Sequence, residues 1–598
     1  MAARASKGQQ EDSYQKLLMN DFSGGLNTYV GALSLPLNAS PDMLNVLPLP
    51  GRLKYRGGSL RASALPYTTD QAYDLYDTTG AKHQAVFAGG NIYDTVGGTP
   101  ALVLANAYTA GDRVGVCTVS GVLYWSTQTI AIQYWNPATS ATGAVVMTGS
   151  SDVPCSPYLF VYAGSIVALG VNYVPATPAD YQPTVMGWCV PNQVGNWAAA
   201  SSQAVGPLIQ GATLEFGIVL GIANTGVPPT RTIVVGRSDV GLIAYTGALG
   251  SLQENAINCP VGCRDGASAV FCPGADGFGD VIFLGSDGQF WKTNGINAIV
   301  ASLDIQTTLQ MQVQNAPAGG RFWAGYNQQQ SYYFCNVGSF QFVYKWDIKK
   351  WALFTGWPNG VVLNTTDIHG VPALFIASSD PAILGYYQIA VPQIGDRDTV
   401  PSIYYRTPWL HAGDPELLKI WSWITLLAYN TGTGYVVMAV GLERPEDNTQ
   451  MQSDPLYLSS ASATGIKPFV LDSSLLDGPD VLTAAPSGSS GPLPIMMRGR
   501  LSAPVTWEPD SMCRGILEEI AGGGGAIRED MKAVAIQFTI AYNAGIADFD
   551  VLGIQTRFTS RGYKREGGDM YDSSMGVPNP RDPFVYNNLT PADVILPS

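Results

Sequence analysis

Three cysteines lie close enough together in the sequence to suggest a metal site. Cys259, Cys263 and Cys272 supply three thiols, and no His is near them. A structural zinc ion takes four sulfur or imidazole ligands at tight spacing, so this set is one ligand short. The other five of the eight cysteines are scattered. We therefore expect buried free thiols in a chain made in a reducing cytosol, with neither a metal nor a disulfide framework.

Aspartates among glycines form a second candidate for a metal site. Asp276, Asp280 and Asp287 offer the oxygen ligands that Ca²⁺ prefers. Their spacing does not match an EF-hand loop. The sequence therefore predicts no metal ion here, and no other cofactor.

Histidines and paired carboxylates are the remaining groups that could act in catalysis. His83, His369 and His411 are far apart, and none lies in an HExxH or nucleophile-elbow context. The sequence has no P-loop and no GxGxxG that opens a helix. Acidic pairs can serve as the acid and base of a glycosidase, but solvated surface explains them better. These pairs are Asp396 with Asp398, Glu518 with Glu519, and Asp548 with Asp550. We predict no enzymatic activity.

The elements that carry these residues are predicted to be strands. Apolar stripes at helical spacing are scarce, and Gly, Pro, Ser, Thr and Asn interrupt the chain about every ten residues. Short runs rich in β-branched and aromatic residues recur instead, among them 281–284, 331–334, 340–344 and 534–540. Turn formers bound these runs, which is typical of an all-β chain.

A loose repeat in the middle of the chain predicts a β-propeller. Its unit is a turn containing Gly, followed by a short strand with an aromatic residue. The units at Gly241, Gly288 and Ser339 are about 50 residues apart, close to the period of a four-stranded propeller blade. Further copies begin at Gly90 and Gly121. We predict a propeller-like domain over residues 67–395.

The flanks of this domain have a different composition. Residues 1–66 are rich in Pro and Gly and are predicted to be an extended segment that joins a second domain. That domain, residues 396–598, is predicted to be a β-rich, sandwich- or barrel-like platform. A stretch at about 441–530, rich in Pro, Ser and Gly, is predicted to form long loops inserted in the platform. The C-terminal tail from Gly567 is predicted to dock on another surface.

Composition and charge argue against several classes of protein. Apolar residues make up 46% of the chain, so it is not disordered. Charged residues make up only 13%, against about 25% in an average domain. The formal net charge of −14 argues against the Lys and Arg clusters that bind nucleic acid phosphates. No apolar stretch of about 18 residues occurs, and the N-terminus lacks the apolar region of a secretory signal, so we expect no membrane span.

One stretch near the N-terminus is more specific. It reads DFSGGLNT from Asp21, LPLNASPDMLNV from Leu35, and GRLKYRGG from Gly51. Its paired glycines permit turns with positive φ, and Ser40 followed by Pro41 suits the start of a turn or helix. On physical grounds alone this is a Gly- and Pro-rich entry segment.

As a pattern, residues 21–58 resemble the N-terminus of the tail nozzle proteins of short-tailed bacteriophages (podoviruses), also called tail tubular protein B, tail hub or stabilisation proteins. Two further stretches resemble this family more weakly. They are residues 404–409 followed by 419–421, and residues 533–554 with Arg557. The residues that carry the main resemblance are Phe22, Gly24, Gly25, Leu26, Asn27, Thr28, Ser40, Pro41, Asp42, Met43, Asn45, Arg56 and Gly57.

The resemblance implies a structural tail protein with no enzymatic residues. Six copies would form a hexameric nozzle at the tail tip of the virion, after synthesis in the cytoplasm of the host bacterium. The ring would bind the head-to-tail adaptor protein ring and the tail spikes or fibres. Double-stranded DNA would pass through the lumen without specific binding. An acidic chain with few charges fits this role, because an acidic wall repels phosphates and obligate interfaces are depleted in charge.

Two alternatives remain open. A receptor-binding or polysaccharide-degrading tail protein would have a groove with paired carboxylates and exposed aromatic residues, and most often a trimeric β-helix with shorter, more regular rungs. A monomeric propeller that binds sugars or partner proteins would more often carry a secretory signal.

Overall fold

The computed structural model divides the chain into two compact units. The propeller unit is Arg56–Thr399, and the terminal unit combines Met1–Tyr55 with Val400–Ser598. The structure describes residues 15–31, 34–96, 98–148, 153–162, 164–172, 182–197, 217–219, 232–236, 240–245, 252–273, 279–316, 320–366, 372–391, 403–413, 419–430, 435–443, 450–452, 456–459, 493–500, 506–509, 532–533, 535–543 and 549–560.

Seven short strands come before the first propeller sheet in the chain. They are β1 (Gln15–Met19), β2 (Gly25–Leu26), β3 (Ala39–Ser40), β4 (Asp42–Leu44), β5 (Val46–Leu49), β6 (Arg52–Tyr55) and β7 (Gly58–Ser63). The strands β1 to β6 belong to the terminal unit, and β7 belongs to the propeller unit. The predicted extended segment, residues 1–66, therefore supplies strands to both units.

The described part of the propeller unit contains seven antiparallel sheets. The first sheet holds β8 (Thr69–Tyr76), β9 (Lys82–Ala88), β10 (Asn91–Asp94) and β11 (Ala101–Leu104), the second β12 (Gly115–Val119), β13 (Val122–Ser126), β14 (Gln133–Asn136) and β15 (Ala141–Ala144), and the third β16 (Tyr158–Tyr162), β17 (Ser165–Val171) and β18 (Gln182–Trp188). The fourth holds β19 (Gly217–Val219), β20 (Thr232–Val235), β21 (Val240–Tyr245) and β22 (Leu252–Ala256), and the fifth β23 (Val270–Pro273), β24 (Gly279–Leu284), β25 (Phe290–Thr293) and β26 (Ala298–Val300). The sixth holds β27 (Ala324–Asn327), β28 (Tyr332–Val337), β29 (Phe340–Lys345) and β30 (Lys350–Phe354), and the seventh β31 (Gly360–Thr366), β32 (Pro372–Ser378) and β33 (Tyr386–Val391), with β7.

Among the described residues, these sheets form a closed ring, a seven-bladed β-propeller. The first strands of successive sheets contact one another from β8 to β19 and from β23 to β31, and β31 contacts β8. The strand β7, from the start of the unit, pairs antiparallel with β33, from its end. One sheet thus joins both ends of the unit and leaves β33 without a free edge. The predicted all-β class and the propeller are confirmed.

Glycine turns connect the strands of the blades, as the repeat predicts. Gly90, Gly121 and Gly288 lie in hairpins and have φ values of 82°, 76° and 79°, which a residue with a side chain rarely adopts. Gly241 differs from the prediction, because it lies inside β21 and pairs with Val234.

Apolar side chains of neighbouring sheets meet to form the core of the propeller unit. Between the first and second sheets, Phe87 packs with Leu123 and Trp125. Between the fourth and fifth sheets, Ile233 packs with Phe283. Because neighbouring sheets cover both faces of a blade, its strands need not alternate polar and apolar residues. All six residues of β28 are accordingly buried.

The described part of the propeller unit has one α-helix, α1 (Gln306–Asn315), between β26 and β27. Its buried residues, Leu309 and Val313, lie one turn apart on the same face. Two short 3₁₀ helices are Gly266–Ser268 and Leu303–Ile305. None of the described helices has the length and apolar character needed to cross a membrane.

The terminal unit has two large sheets among its described residues. Its later strands are β34 (Ile403–Arg406), β35 (Lys419–Asn430), β36 (Tyr435–Glu443), β37 (Gln450–Gln452), β38 (Leu456–Ser459), β39 (Leu493–Arg500), β40 (Thr506–Pro509), β41 (Lys532–Ala533), β42 (Ala535–Asn543) and β43 (Phe549–Ser560). One sheet has the order β40-β39-β35-β43-β6-β5, with β1 also paired to β43 and β41 to β35. The other has the order β37-β36-β42-β34-β4, with β38 also paired to β36.

The stretch predicted as long loops, 441–530, contains the strands β37 to β40. Its Pro, Ser and Gly content hides short runs such as Leu493–Arg500, which pairs along β35. The predicted docking tail from Gly567 lies outside the described residues.

Candidate functional site

The N-terminal motif pairs with a strand that is far away in the sequence. β4 lies antiparallel to β34, with Met43 opposite Tyr405. On its other side β34 pairs with β42. One strand from each of the three segments that resemble the nozzle family, β4, β34 and β42, therefore lies in this sheet of the terminal unit. Residues 419–421 on β35 and Arg557 on β43 lie in its other large sheet.

Buried contacts hold the motif against β34. Phe22 is fully buried, and its ring meets the Tyr405 ring edge-on at a centroid distance of 5.6 Å. The Tyr404 hydroxyl donates to Asp42 Oδ1 over 2.8 Å. Burial raises the pKa of Asp42, and the hydrogen bond from Tyr404 opposes that rise. These residues stabilise the terminal unit.

Other motif residues shape the backbone. A Cβ on Gly24 would lie 2.6 Å from the Ala39 nitrogen, so only glycine fits there, and Gly25 has a φ of 63°. Ser40 Oγ lies 2.6 Å from the carbonyl oxygen of Arg406. The remaining motif residues in this unit are buried or half-buried: Leu26, Asn27, Thr28, Pro41 and Asn45.

The last two motif residues, Arg56 and Gly57, lie in the propeller unit. Arg56 is fully buried, and its guanidinium donates to the carbonyl oxygens of Gly57 and Thr355, both over 2.6 Å. It also lies 4.9 Å from the centre of the Trp357 ring, a favourable cation–π geometry. These contacts fix the first residues of the unit just before β7.

A network of charged side chains connects the segments that precede the first strands of several sheets in the propeller unit. Arg113, before β12, donates to Asp265, before β23, over 2.9 Å. The other carboxylate oxygen of Asp265 accepts the N–H of Phe322, before β27, over 2.8 Å. Asp265 is only 3% exposed, so water competes little for these bonds. One carboxylate thus connects the segments that precede the first strands of the second, fifth and sixth sheets.

Arg321 and Asp70 form the second part of this network. The Arg321 guanidinium donates to the carbonyl oxygens of Asp70 and Gly111, over 2.8 and 2.9 Å. Asp70 Oδ2 accepts the Tyr108 hydroxyl over 2.9 Å and the Gly111 N–H over 3.2 Å. Burial raises the pKa of Asp70 although these bonds and Arg321 oppose it. Burial also lowers the pKa of Arg321. Both charged groups have partners within the unit.

Two adjoining cavities flank this network. The larger, of about 820 Å³, lies between the first, sixth and seventh sheets beside α1, and the smaller has about 310 Å³. Asp70, Arg321 and Trp323 line both. Neutral polar residues form much of the wall of the larger cavity, among them Thr69, Gln312, Asn315, Asn336, Asn359 and Ser379.

The clustered cysteines are buried free thiols. Cys263 Sγ donates to the carbonyl oxygen of Asp265 and Cys259 Sγ to that of Val261, both over 3.0 Å. Burial raises the pKa of Cys263 to about 12 and that of Cys272 well above its usual value, so both thiols stay protonated at neutral pH. Among the described residues, no group of three His, Cys, Asp or Glu could hold a metal ion.

The histidines and carboxylates of the sequence analysis occupy separate places. His83 Nδ1 lies 2.7 Å from Asp94 Oδ2, and burial lowers the pKa of His411. Asp287 accepts the indole N–H of Trp291. Two further candidates lie on strands, Asp280 on β24 and Asp550 on β43. Outside the described residues lie His369, Asp276, Asp396, Asp398, Glu518, Glu519 and Asp548.

Comparisons with known proteins do not identify a family. No family model and no curated protein matches the sequence. Among solved structures, the chain is similar to an oligogalacturonate lyase from Vibrio parahaemolyticus (TM-score 0.35, 10% identity, 59% of this chain and 98% of that chain). It is also similar to a chain of the mitotic checkpoint complex (0.32, 12%, 55% and 96%). A third is PorZ, a surface component of the type-IX secretion system of Porphyromonas gingivalis (0.31, 11%, 60% and 44%). Likenesses this distant carry no conclusion about function.

The central residues of the propeller unit are absent from the sequence-based candidates. Arg113, Asp265 and Arg321 each precede the first strand of a sheet by a few residues, at β12, β23 and β27. A charged residue in the same place of several repeats is a usable signal. This signal appears only when the repeats are aligned on their first strands. The Gly–aromatic pattern aligns them on a later hairpin, so it does not reveal the charged residues.

Proposed function

We propose that this chain is a structural protein of a short bacteriophage tail, placed at the tail tip of the virion. Six copies form a nozzle that binds the adaptor ring and carries tail spikes or fibres around it. Double-stranded DNA leaves through the lumen without specific binding, and the chain performs no catalysis. In this proposal residues 1–66 and 396–598 build the ring, and the propeller lies at its periphery.

The observation that carries the proposal is the sheet formed by β4, β34 and β42. Three short segments resemble the nozzle family, and chance matches would have no reason to be neighbours. In this chain they pair strand to strand, and the Phe22 and Tyr405 rings meet in the core beside them. The resemblance therefore belongs to one packed structure, which supports common ancestry over coincidence.

The interior of the propeller supports a passage enclosed by several chains. The cavity near its centre has about 310 Å³, which is room for roughly ten water molecules. The ion pair of Arg113 with Asp265 connects the segments before β12 and β23. A DNA duplex cannot thread such a space, so in this proposal the conduit lies between copies. Head-to-tail contacts that close after a fixed rotation produce a ring of that kind.

Electron microscopy of the full-length chain, alone and mixed with the adaptor protein of the same phage, tests the proposal. We expect rings with six-fold symmetry, at least on the adaptor. Phe22→Ala should abolish ring formation, because loss of a fully buried ring costs about 3–5 kcal/mol in the unit proposed to build the ring. The control Tyr76→Ala removes a side chain that is 56% exposed on the propeller unit and should leave rings unchanged.

Two results would overturn the proposal. One is a chain that stays monomeric in the presence of the adaptor and lies off the exit axis of the particle. The other is release of sugars from a polysaccharide at a rate typical of an enzyme, which would favour the depolymerase alternative.

A further inference from the structure

His411 ends a buried segment of the terminal unit that follows β34. The residues just before it, Trp409 and Leu410, are 5% and 1% exposed, and His411 itself is half-buried. Its Nδ1 atom is buried and has no hydrogen-bond partner within the described part of the chain. Such a place suits a neutral imidazole ring better than a charged one.

A positive charge on this ring is unfavourable for two reasons. In a protonated imidazole both nitrogens carry a hydrogen, so Nδ1 would become a buried donor without an acceptor. The ammonium group of Lys419, at the start of β35 and 1% exposed, also acts on His411. Burial, and then this like charge, lower the pKa of His411. No carboxylate of the described residues pairs with His411, and Asp414 and Glu416 lie outside those residues.

The backbone directly after His411 is strained. Ala412 has a φ of 49° and Gly413 a φ of 100°. A residue with a side chain rarely adopts a positive φ, and such strain persists only where the surrounding structure holds it in place. Movement of His411 out of its buried place would let this turn relax.

The segment before His411 is tied to the sheet of the terminal unit. The Thr407 N–H donates to the carbonyl oxygen of Phe538 on β42 over 2.8 Å. The N–H of Phe538 donates to Thr407 Oγ1 over 2.9 Å. A change at His411 therefore has a short path to the pairing of β34 with β42.

We propose that His411 and the strained turn after it form an acid-sensitive switch in the terminal unit. At neutral pH the uncharged ring keeps its buried place. As the pH falls, protonation draws the ring towards water, the turn at 412–413 relaxes, and the segment 407–413 loosens from β42. The inference does not depend on ring formation.

The direction of the switch follows from the lowered pKa of His411. A group whose pKa is lower in the folded chain than in the unfolded chain binds its proton more tightly when unfolded. The contribution of His411 to stability is therefore present above the unfolded-state pKa. It is lost as the pH falls through the folded-state pKa.

Hydrogen exchange of the full-length chain, read by mass spectrometry at about pH 7 and pH 5 and corrected for the intrinsic rates, tests the switch. These values lie on either side of the usual His pKa. Exchange in 403–413 and β42 should become faster at the lower pH by up to about thirtyfold, the limit set by the usual His pKa. Exchange in β28 of the propeller unit should not change. His411→Gln, which stays neutral, should lack the increase.

His83→Gln is the matched control. It removes a histidine of the propeller unit whose Nδ1 lies 2.7 Å from Asp94 Oδ2, and it should keep the acid response of 403–413. A second measurement needs no variant: exchange of the imidazole C2–H follows the titration of each histidine in the native chain. The midpoint for His411 should be lower in the folded chain than in urea.

Three results would overturn the inference. The first is a midpoint for His411 that is equal or higher in the folded chain. The second is exchange in 403–413 that does not increase at the lower pH. The third is an increase that persists in His411→Gln.

Discussion

The carboxylate of Asp265 connects segments of the propeller unit that are far apart in the sequence. It accepts hydrogen bonds from Arg113, from the N–H of Phe322, and from the N–H of Ala267 at the start of a 3₁₀ helix. Because Asp265 is buried, removal of Arg113 leaves its carboxylate without this charged partner in a poorly hydrated place. That situation costs more than loss of an exposed ion pair.

A double-mutant cycle on Arg113 and Asp265 measures this difference. Asp265→Ala should lower the free energy of unfolding by about 3–5 kcal/mol, with a coupling to Arg113→Ala of about 1–3 kcal/mol. The matched pair is Lys350 with Asp304, which has the same kind of contact at 2.8 Å but is 35% and 30% exposed. Lys350→Ala should cost less than about 1 kcal/mol. Equal costs for both pairs in urea unfolding would contradict the role given to Asp265.

The raised pKa of Asp70 makes a separate prediction about pH. Burial raises the pKa in the folded chain above that in the unfolded chain, so the folded state holds the proton more tightly. The contribution of Asp70 to stability is therefore greatest below the unfolded-state pKa and is lost as the pH rises through the folded-state pKa. Asp70→Asn removes this titration.

Urea unfolding of the native chain and of Asp70→Asn, compared at several values between about pH 4 and 7, checks the prediction. The native chain should lose stability relative to the variant as the pH rises, by at most about 1.4 kcal/mol per pH unit. A difference that stays constant over this interval, or that changes in the opposite direction, would count against a raised pKa.

At the residue scale, the sequence identifies buried structural residues better than it identifies the network. The motif residues Phe22 and Gly24 are recognisable because they belong to one continuous sequence pattern, residues 21–58. Asp265 and Arg113 become significant only when folding brings together residues about 150 positions apart. Local patterns contain no information about which distant charge completes a pair.

At the scale of the elements, β7 closes the ring of sheets in the propeller unit. It supplies the fourth strand of the last sheet, opposite β33. Gly57 precedes it with a φ of 80°, and a Cβ there would lie 2.7 Å from the carbonyl carbon of Ala390. The close approach of these two backbones leaves no room for a side chain.

Gly57→Ala therefore has two costs, a strained backbone and a clash with β33. Gly80→Ala is the control, since Gly80 has a φ of 85° but no atom within 4 Å of its would-be Cβ. The control should lose about 1–2 kcal/mol from strain alone, and Gly57→Ala about 1–3 kcal/mol more from the clash. Chemical unfolding measures both variants. Similar losses would show that the junction of β7 with β33 tolerates a side chain.

Element prediction works where a strand has an apolar run followed by a glycine turn, as in β24 before Gly288 and β28 before Gly338. Element prediction fails for strands that form because they pair with a neighbouring strand. β7 and β39 have mixed sequences, GSLRAS and LPIMMRGR, and each is a strand because it pairs along an existing sheet edge. Long-range pairing of this kind overrides local preference.

At the scale of the whole molecule, charge and surface argue for a chain that contacts proteins more than nucleic acid. Charged residues are 13% of the sequence and the net charge is −14, so the chain as a whole repels the phosphates of a duplex. The proposed ring would therefore guide DNA by exclusion. Long-range repulsion weakens as salt rises, and specific contacts to phosphates would weaken as well.

Fluorescence anisotropy with a labelled DNA duplex tests this expectation on the full-length chain. At about 50 mM salt, where electrostatic binding is strongest, we expect no binding at micromolar protein, because release of counterions requires clustered Lys and Arg. A basic DNA-binding protein at the same concentration is the positive control. Binding that falls steeply between about 50 and 200 mM salt would mean that the chain grips phosphates, and a passive DNA conduit could not be built from such a surface.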